Sequence, residues 1–290
     1  MTKNNQSNSS CSGRGCGQGA AGAAPQQQDA HIADTLTKIR QKIIVMSGKG
    51  GVGKSSVSAG LAVQLGHVGH RVGLLDVDIH GPSVAGIMGL QGLLDITEEK
   101  KVLAKQVHDN LKVVSMQSLM VDADQAVIWR GPAKTGVIRQ FIGDVLWGDL
   151  DYLIIDAPPG TGDEPLSVAQ TIPDAKAVIV TTPQDVALSD VRKSINFCRT
   201  INVETLGLVE NMGPFECPCC GKTLALFKSG GGEATAKKMD LPFLGTLPFD
   251  PKVVKACDAG KAADLQTVAP EFMAVMAQIA EKISKTIEVK

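Results

Sequence analysis

The stretch IIVMSGKGGVGKSS, residues 43–56, decides how the rest of this chain is read. Ile43, Ile44, Val45 and Met46 form an unbroken apolar run of the kind found in a strand buried on both faces, and a glycine-rich turn and the start of a helix follow it. Gly48, Gly53, Lys54 and Ser55 fill the G-x-x-x-x-G-K-[ST] spacing of a phosphate-binding loop. Glycines let backbone N–H groups crowd around an anionic phosphate, the helix start directs partial positive charge at the same point, and Lys54 adds a full charge. Ser55 would offer its hydroxyl to a magnesium ion. Gly48, Lys49, Gly50, Gly51, Val52, Gly53, Lys54, Ser55 and Ser56 are therefore the expected nucleotide-binding segment, with Mg2+ beside it.

Working outward, residues 72–77 are a second near-continuous apolar run, which delivers Asp76 and Asp78 to its carboxyl end. Residues 152–155 are a third, ending at Asp156, where a carboxylate would act on magnesium through a bound water. Ligands of open α/β sheets gather beyond the carboxyl ends of strands. Shorter apolar strands at 111–116, 177–181 and 206–209, with a helical pattern around 191–198, predict a mostly parallel, doubly wound α/β sheet flanked by helices. The loop APPGTGD, residues 157–163, has the glycines and prolines of a segment able to move when a γ-phosphate leaves, and Asp163 at its end would relay that change. A short helix is expected at 34–40. The closing segment, 269–289, carries Phe272, Val275, Met276, Ile279, Ile283 and Ile287 on one helical face, which reads as a helix packed on the sheet; a membrane-surface helix would have a similar pattern. Trp129 and Trp147 are expected to be packing residues.

The 290 residues, 43% hydrophobic and 20% charged, suit one large α/β domain. A net charge of -1 without any long basic run argues against a general nucleic-acid binder. No apolar run approaches the roughly 20 residues of a membrane span. The N-terminus has no signal-like apolar stretch, so a cytoplasmic protein is expected. Residues 1–30, rich in Ser, Gly and Gln, read as a disordered tail ahead of a domain spanning 31–290. Cys11 and Cys16 in that tail make half a metal site. A second pair, Cys217 and Cys220, lies in PFECPCCGK, residues 214–222, where a Pro/Gly-rich turn lets both sulfurs converge on one metal or cluster. Cys219 between them is expected to point elsewhere, and Cys198 and Cys257 read as isolated thiols. Two ligands per chain fit best if two chains meet; spacing alone does not choose iron–sulfur over zinc.

Lys49, directly after the first glycine, is a second cation that ordinary phosphate loops lack. With it, the DVDIHGPS segment (76–83), the block from RGP to TGD (130–163), VENM (209–212) and the late C-x-x-C resemble the Mrp/ApbC family over about residues 35 to 285. That family falls within the deviant Walker A superclass of P-loop NTPases, together with nitrogenase iron protein and the ParA/MinD proteins. The resemblance implies a homodimeric ATPase in which Lys49 reaches the nucleotide of the facing subunit and Asp78 orients the attacking water. Asp78, Lys54 and Lys49 are thus the catalytic set, and Asp76 lies nearer the magnesium shell with Ser55 and Asp156. It further implies that Asn211 reads adenine, with Pro248 and Asp250 on the other side of the base. Finally, it implies a labile 4Fe–4S cluster held between the Cys217/Cys220 pairs of two subunits and passed to apo iron-sulfur proteins. Related eukaryotic carriers have four cysteines in a comparable tail, against two here. The rival readings are a ParA/MinD-type positioning ATPase, disfavoured by near-neutral charge and the cysteine pair, and a nitrogenase-like reductase. The latter's cluster cysteines lie near the switch regions, and this chain has no cysteine between Arg71 and Ile195.

Overall fold

Ile43, Ile44, Val45 and Met46 are all buried because β1 (Ile39–Ser47) has a parallel neighbour on each side. The computed structural model describes residues 25–99, 101–119, 131–217 and 219–288. After β1 come β2 (Val72–Asp76), β3 (Lys105–His108), β4 (Leu111–Ser115) and β5 (Leu150–Asp156), then β6 (Lys176–Thr181), β7 (Thr205–Gly213) and β8 (Phe243–Pro248). They form one eight-stranded sheet in the order β8-β7-β6-β1-β5-β2-β4-β3, parallel except for the antiparallel β3–β4 edge. The larger helices are α1 (Pro25–Thr37), α2 (Lys54–His67), α3 (Gly131–Asp144) and α4 (Asp163–Thr171), followed by α5 (Asp185–Thr200), α6 (Gly231–Lys238), α7 (Pro251–Asp258) and α8 (Pro270–Glu288).

Alternate residues of a strand face opposite sides, so β1 feeds two cores. Ile43 and Val45 pack with apolar residues of α2, α7 and α8, whereas Ile44 and Met46 pack with those of α1, α3, α4 and α5. The stripe on α8 faces the first of these cores: Phe272, Met276, Ile279, Ile283 and Ile287 are buried, and Lys282 Nζ donates to the Leu244 carbonyl of β8 at 2.7 Å. At about 1.5–3 kcal/mol per fully buried large aliphatic or aromatic side chain, this stripe is a major contribution to the fold. Trp147 is buried in the second core. Among the described residues no helix is long and apolar enough to cross a membrane.

Three local expectations need correction. The first helix spans Pro25–Thr37, not 34–40, so ordered helix begins before the expected end of the tail at residue 30. Ile32 and Leu36 give the reason: both are buried against the second core, and Thr35 Oγ1 donates to the Gly143 carbonyl at 3.1 Å, where the missing Gly143 side chain makes room for Ile32. Lys105–His108, absent from the expected strands, is the edge strand β3, whose half-exposed pattern carries little hydrophobic signal. β7 runs on through residues 210–213 and leads into a small hairpin. Cys11, Cys16 and Trp129 lie outside the described residues.

The register sets up the site. Val45 and Asp76 are both level with Asp156, and Ser115 is level with Asp76, so the carboxyl ends of β1, β5, β2 and β4 open on one edge.

Candidate nucleotide cleft and cysteine hairpin

Helix α2 starts at Lys54 directly after Gly53, which takes the left-handed φ of 79°. A side chain there would be strained and would also collide with the amide of Asn211. That amide donates to the Val52 carbonyl at 2.9 Å, pinning the loop from β7. Gly48 is constrained by packing instead, since a Cβ would strike the backbone of Asp190 and Val191. The loop borders a cleft of about 640 Å³. Ser47, Lys49, Gly50, Gly51, Gly53, Lys54, Ser55 and Ser56 line one side, and Asp78, His80, Gly81, Ser83, Ile87, Pro159 and Glu164 the other. A glycine-rich backbone at a helix start, flanked by two lysines, fits the phosphates of a nucleotide.

Beneath the cleft, the fully buried Asp156 pairs with one lysine and accepts from two serine hydroxyls. Lys54 Nζ lies 2.8 Å from its Oδ1, Ser58 Oγ donates to the same oxygen at 2.7 Å, and Ser55 Oγ donates to Oδ2 at 2.6 Å. Asp76, equally buried, accepts from Asp78 N at 3.1 Å, from Val84 N at 3.1 Å and from Ser115 Oγ at 2.8 Å. Burial first, and the charge of Asp156 second, push its carboxyl up to about 7 against the pull of the Asp78 and Ser115 hydrogen bonds and of Lys54. Two neighbouring carboxylates with a serine hydroxyl form a donor set that suits a hard divalent cation, whose charge would relieve their repulsion. Asp78 faces the cleft from the loop after β2, its Oδ1 accepting from His80 N and Gly81 N, each at 3.2 Å. His80 Nε2 in turn lies 3.1 Å from Glu164 Oε1.

The cleft and its floor thus gather Lys49, Lys54, Ser55, Ser56, Asp76, Asp78 and Asp156. Pro248 and Asp250 do not join its lining. Pro248 is level with Gly213 where β7 meets β8, and Asp250 caps α7, its Oδ1 accepting from Lys252 N at 2.8 Å. Sequence reasoning missed Ser58 and Ser115. Ser58 had a legible signal, being one helical turn beyond Lys54 and hence on the same face; Ser115 had none.

The second constellation sits on the hairpin that follows β7. Two short antiparallel strands, Phe215–Glu216 and Thr223–Leu224, present Cys217, Cys219 and Cys220 at the tip. Cys217 N donates to the Lys222 carbonyl and Gly221 N to the Cys217 carbonyl, both at 2.9 Å, and Gly221 takes a left-handed φ of 67° to close the turn. Hydrogen bonds from the backbone N–H of Cys219, then that of Cys220, then the Cys220 thiol, hold the Cys217 thiol below the usual cysteine value. The Cys219 thiol adds a smaller lowering in the same direction. Cys217 is half-buried, and Cys219 and Cys220 are exposed. Cys198 and Cys257 are buried apart from them: burial pushes Cys198, 3.6 Å from Met46 Sδ, up to about 11, and also raises Cys257.

A parallel sheet whose first strand runs into a phosphate loop at a helix start, with a strand-end aspartate facing the loop's lysine and serine, defines a P-loop NTPase. The chain belongs to the NUBPL iron-transfer P-loop NTPase family, which it matches over residues 38–284. An iron-sulfur cluster carrier protein of Methanocaldococcus jannaschii is 44% identical to it over 260 residues, covering 89% of this chain and 90% of the relative. A cytosolic Fe-S cluster assembly factor NUBP2 homolog of Culex quinquefasciatus is 48% identical over 233 residues, covering 78% and 90%. Among solved structures, a nucleotide-binding protein of Archaeoglobus fulgidus in complex with ADP matches with a TM-score of 0.73 at 40% identity, over 84% of this chain and 96% of that one. The cell division ATPase MinD of Pyrococcus furiosus shares the fold with a TM-score of 0.63 at 24% identity, over 85% of this chain and 99% of that one.

Proposed function

We propose that this chain is a cytoplasmic, ATP-binding and ATP-hydrolysing carrier of iron-sulfur clusters. It holds a labile 4Fe–4S cluster between Cys217 and Cys220 of two copies of the chain and passes it to apo iron-sulfur proteins. The observation that carries this reading is the hairpin tip, where two backbone N–H groups stabilise the Cys217 thiolate beside an exposed Cys220. Two such thiolates are half of a four-cysteine cage, so a second copy completes it. The names of the iron-sulfur carrier relatives support the cargo, and the ADP of the Archaeoglobus fulgidus protein supports the nucleotide.

The chain's own groups divide the work. Backbone N–H groups of residues 48–55 bind the phosphates, and Lys54 exchanges its contact with Asp156 for one with the nucleotide. Ser55, Asp156 and Asp76 would hold Mg2+, which neutralises phosphate charge when bound. Asp78 orients the attacking water, and Lys49 reaches the nucleotide of the facing subunit. Asn211 joins the two sites, because one strand carries both its bond to Val52 and the start of the cysteine hairpin. Adenine packs against Asn211, with Pro248 and Asp250 on its far side.

The test is transfer. Anaerobically reconstituted protein is mixed with an inactive apo-dehydratase that needs a 4Fe–4S cluster, and recovered activity is followed with and without ATP. Recovery with the parent and none with Cys217→Ala supports the reading; equal recovery with both contradicts it.

A further inference from the structure

The loops after β2 and β5 lie side by side because their strands are neighbours in the sheet, and both border the phosphate cleft. A direct side-chain link spans them: His80 Nε2 donates to Glu164 Oε1 at 3.1 Å. Glu164 stands in the first turn of α4, where the helix dipole favours a carboxylate. On the other side, the peptide N–H groups of His80 and Gly81 both point at Asp78 Oδ1. The backbone of His80 therefore helps to hold the Asp78 carboxylate while its ring is tied to the opposite loop.

We propose that His80 and Glu164 are positioning residues for Asp78. They tie the two loops that flank the γ-phosphate position so that these loops move as one unit, and they keep the cleft closed over bound nucleotide. This assignment rests on the ATPase reading above for its kinetic consequence, but not for the coupling itself. The pair is partly solvated, His80 54% and Glu164 21% exposed, so it contributes little to stability and its removal leaves the fold intact.

The experiment compares the full chain with His80→Ala, Glu164→Ala, the double variant and His80→Gln, whose amide nitrogen can stand in for the ring Nε2–H. Each alanine variant should lower kcat about tenfold, the cost of a poorly oriented nucleophile, with KM for ATP changed less than about twofold. The double variant should be no slower than the slower single, because both changes remove the same link. His80→Gln should retain kcat within about threefold of the parent, since the donor is kept. Release of a fluorescent ADP analogue, read by stopped flow, should quicken equally in both singles and the double. Release needs no turnover. If the parent proves not to hydrolyse ATP, the ATPase reading fails, and release rates alone decide the coupling. Parent-like kcat and release in His80→Ala, multiplicative losses in the double, or losses that track melting temperature and are not rescued by glutamine would each overturn the proposal.

Discussion

Replacing Asp76 by asparagine should reverse its effect on stability between acid and neutral pH. Asp76 is fully buried beside Asp156, and its folded value of about 7 lies well above the ordinary aspartate value. Below about pH 4 both folded and unfolded chains keep the proton, and no penalty exists. Between about pH 4 and 7 the unfolded chain releases the proton while the folded chain retains it. Stability therefore falls by about 1.4 kcal/mol per pH unit and levels off once the folded group ionises. The full span is worth about 4 kcal/mol. Asparagine removes this penalty, but its amide turns a donor towards Val84 N or Asp78 N, leaving one buried N–H unmet at a cost of about 1–3 kcal/mol. The variant should therefore be less stable than the parent at pH 4 by about 1–3 kcal/mol and more stable at pH 8 by a similar amount, with a crossing between. Urea unfolding of both proteins in EDTA without nucleotide, at intervals from pH 4 to 8, measures the difference directly. A difference that does not change with pH, or one that turns against asparagine as pH rises, would refute the reasoning.

Lys54→Ala strips Asp156 of its buried partner and should cost about 3–5 kcal/mol of stability as well as ATP binding; calorimetry and thermal melts check both, and a parent-like melt would contradict it. Asp78→Ala should bind ATP within about twofold of the parent yet turn it over about a hundredfold more slowly, as expected for loss of a group acting on the nucleophile. Lys49→Ala should keep the fold but lose turnover or nucleotide-dependent dimer formation, read by light scattering with an ATP analogue. Brief iodoacetamide treatment of apo-protein at pH 7 should label Cys217 ahead of Cys198, whose thiol burial pushes up to about 11; peptide mass spectrometry would show any reversal.

Features written within a short stretch of chain were legible in advance. The phosphate loop is contiguous, so its glycines, Lys54 and Ser55 could be read from spacing, and the buried strands ending at Asp76 and Asp156 from unbroken apolar runs. What sequence could not supply was register. That Asp76 and Asp156 lie level, raising the Asp76 value, depends on β2 pairing with β5, whose residues are far apart in the chain. Ser115 joins Asp76 for the same reason. β3 escaped notice because a half-exposed edge strand alternates too weakly, and the cysteine hairpin because two-residue strands have no period to detect. The start of α1 was obscured by polar residues, its anchors Ile32 and Leu36 coming later. Asp250 carries a readable local signal: an aspartate directly before a proline marks a helix start, and it caps α7.

Cys217 and Cys220 from two chains are proposed to hold one cluster. This is tested most directly by iron and sulfide content after anaerobic reconstitution, in the 290-residue chain carrying Cys11→Ala and Cys16→Ala so that these thiols contribute nothing. About two iron and two sulfide per chain are expected in a dimer, retained in Cys219→Ala and lost in both Cys217→Ala and Cys220→Ala. Cluster retained in either of those two variants, or lost only in Cys219→Ala, would contradict it.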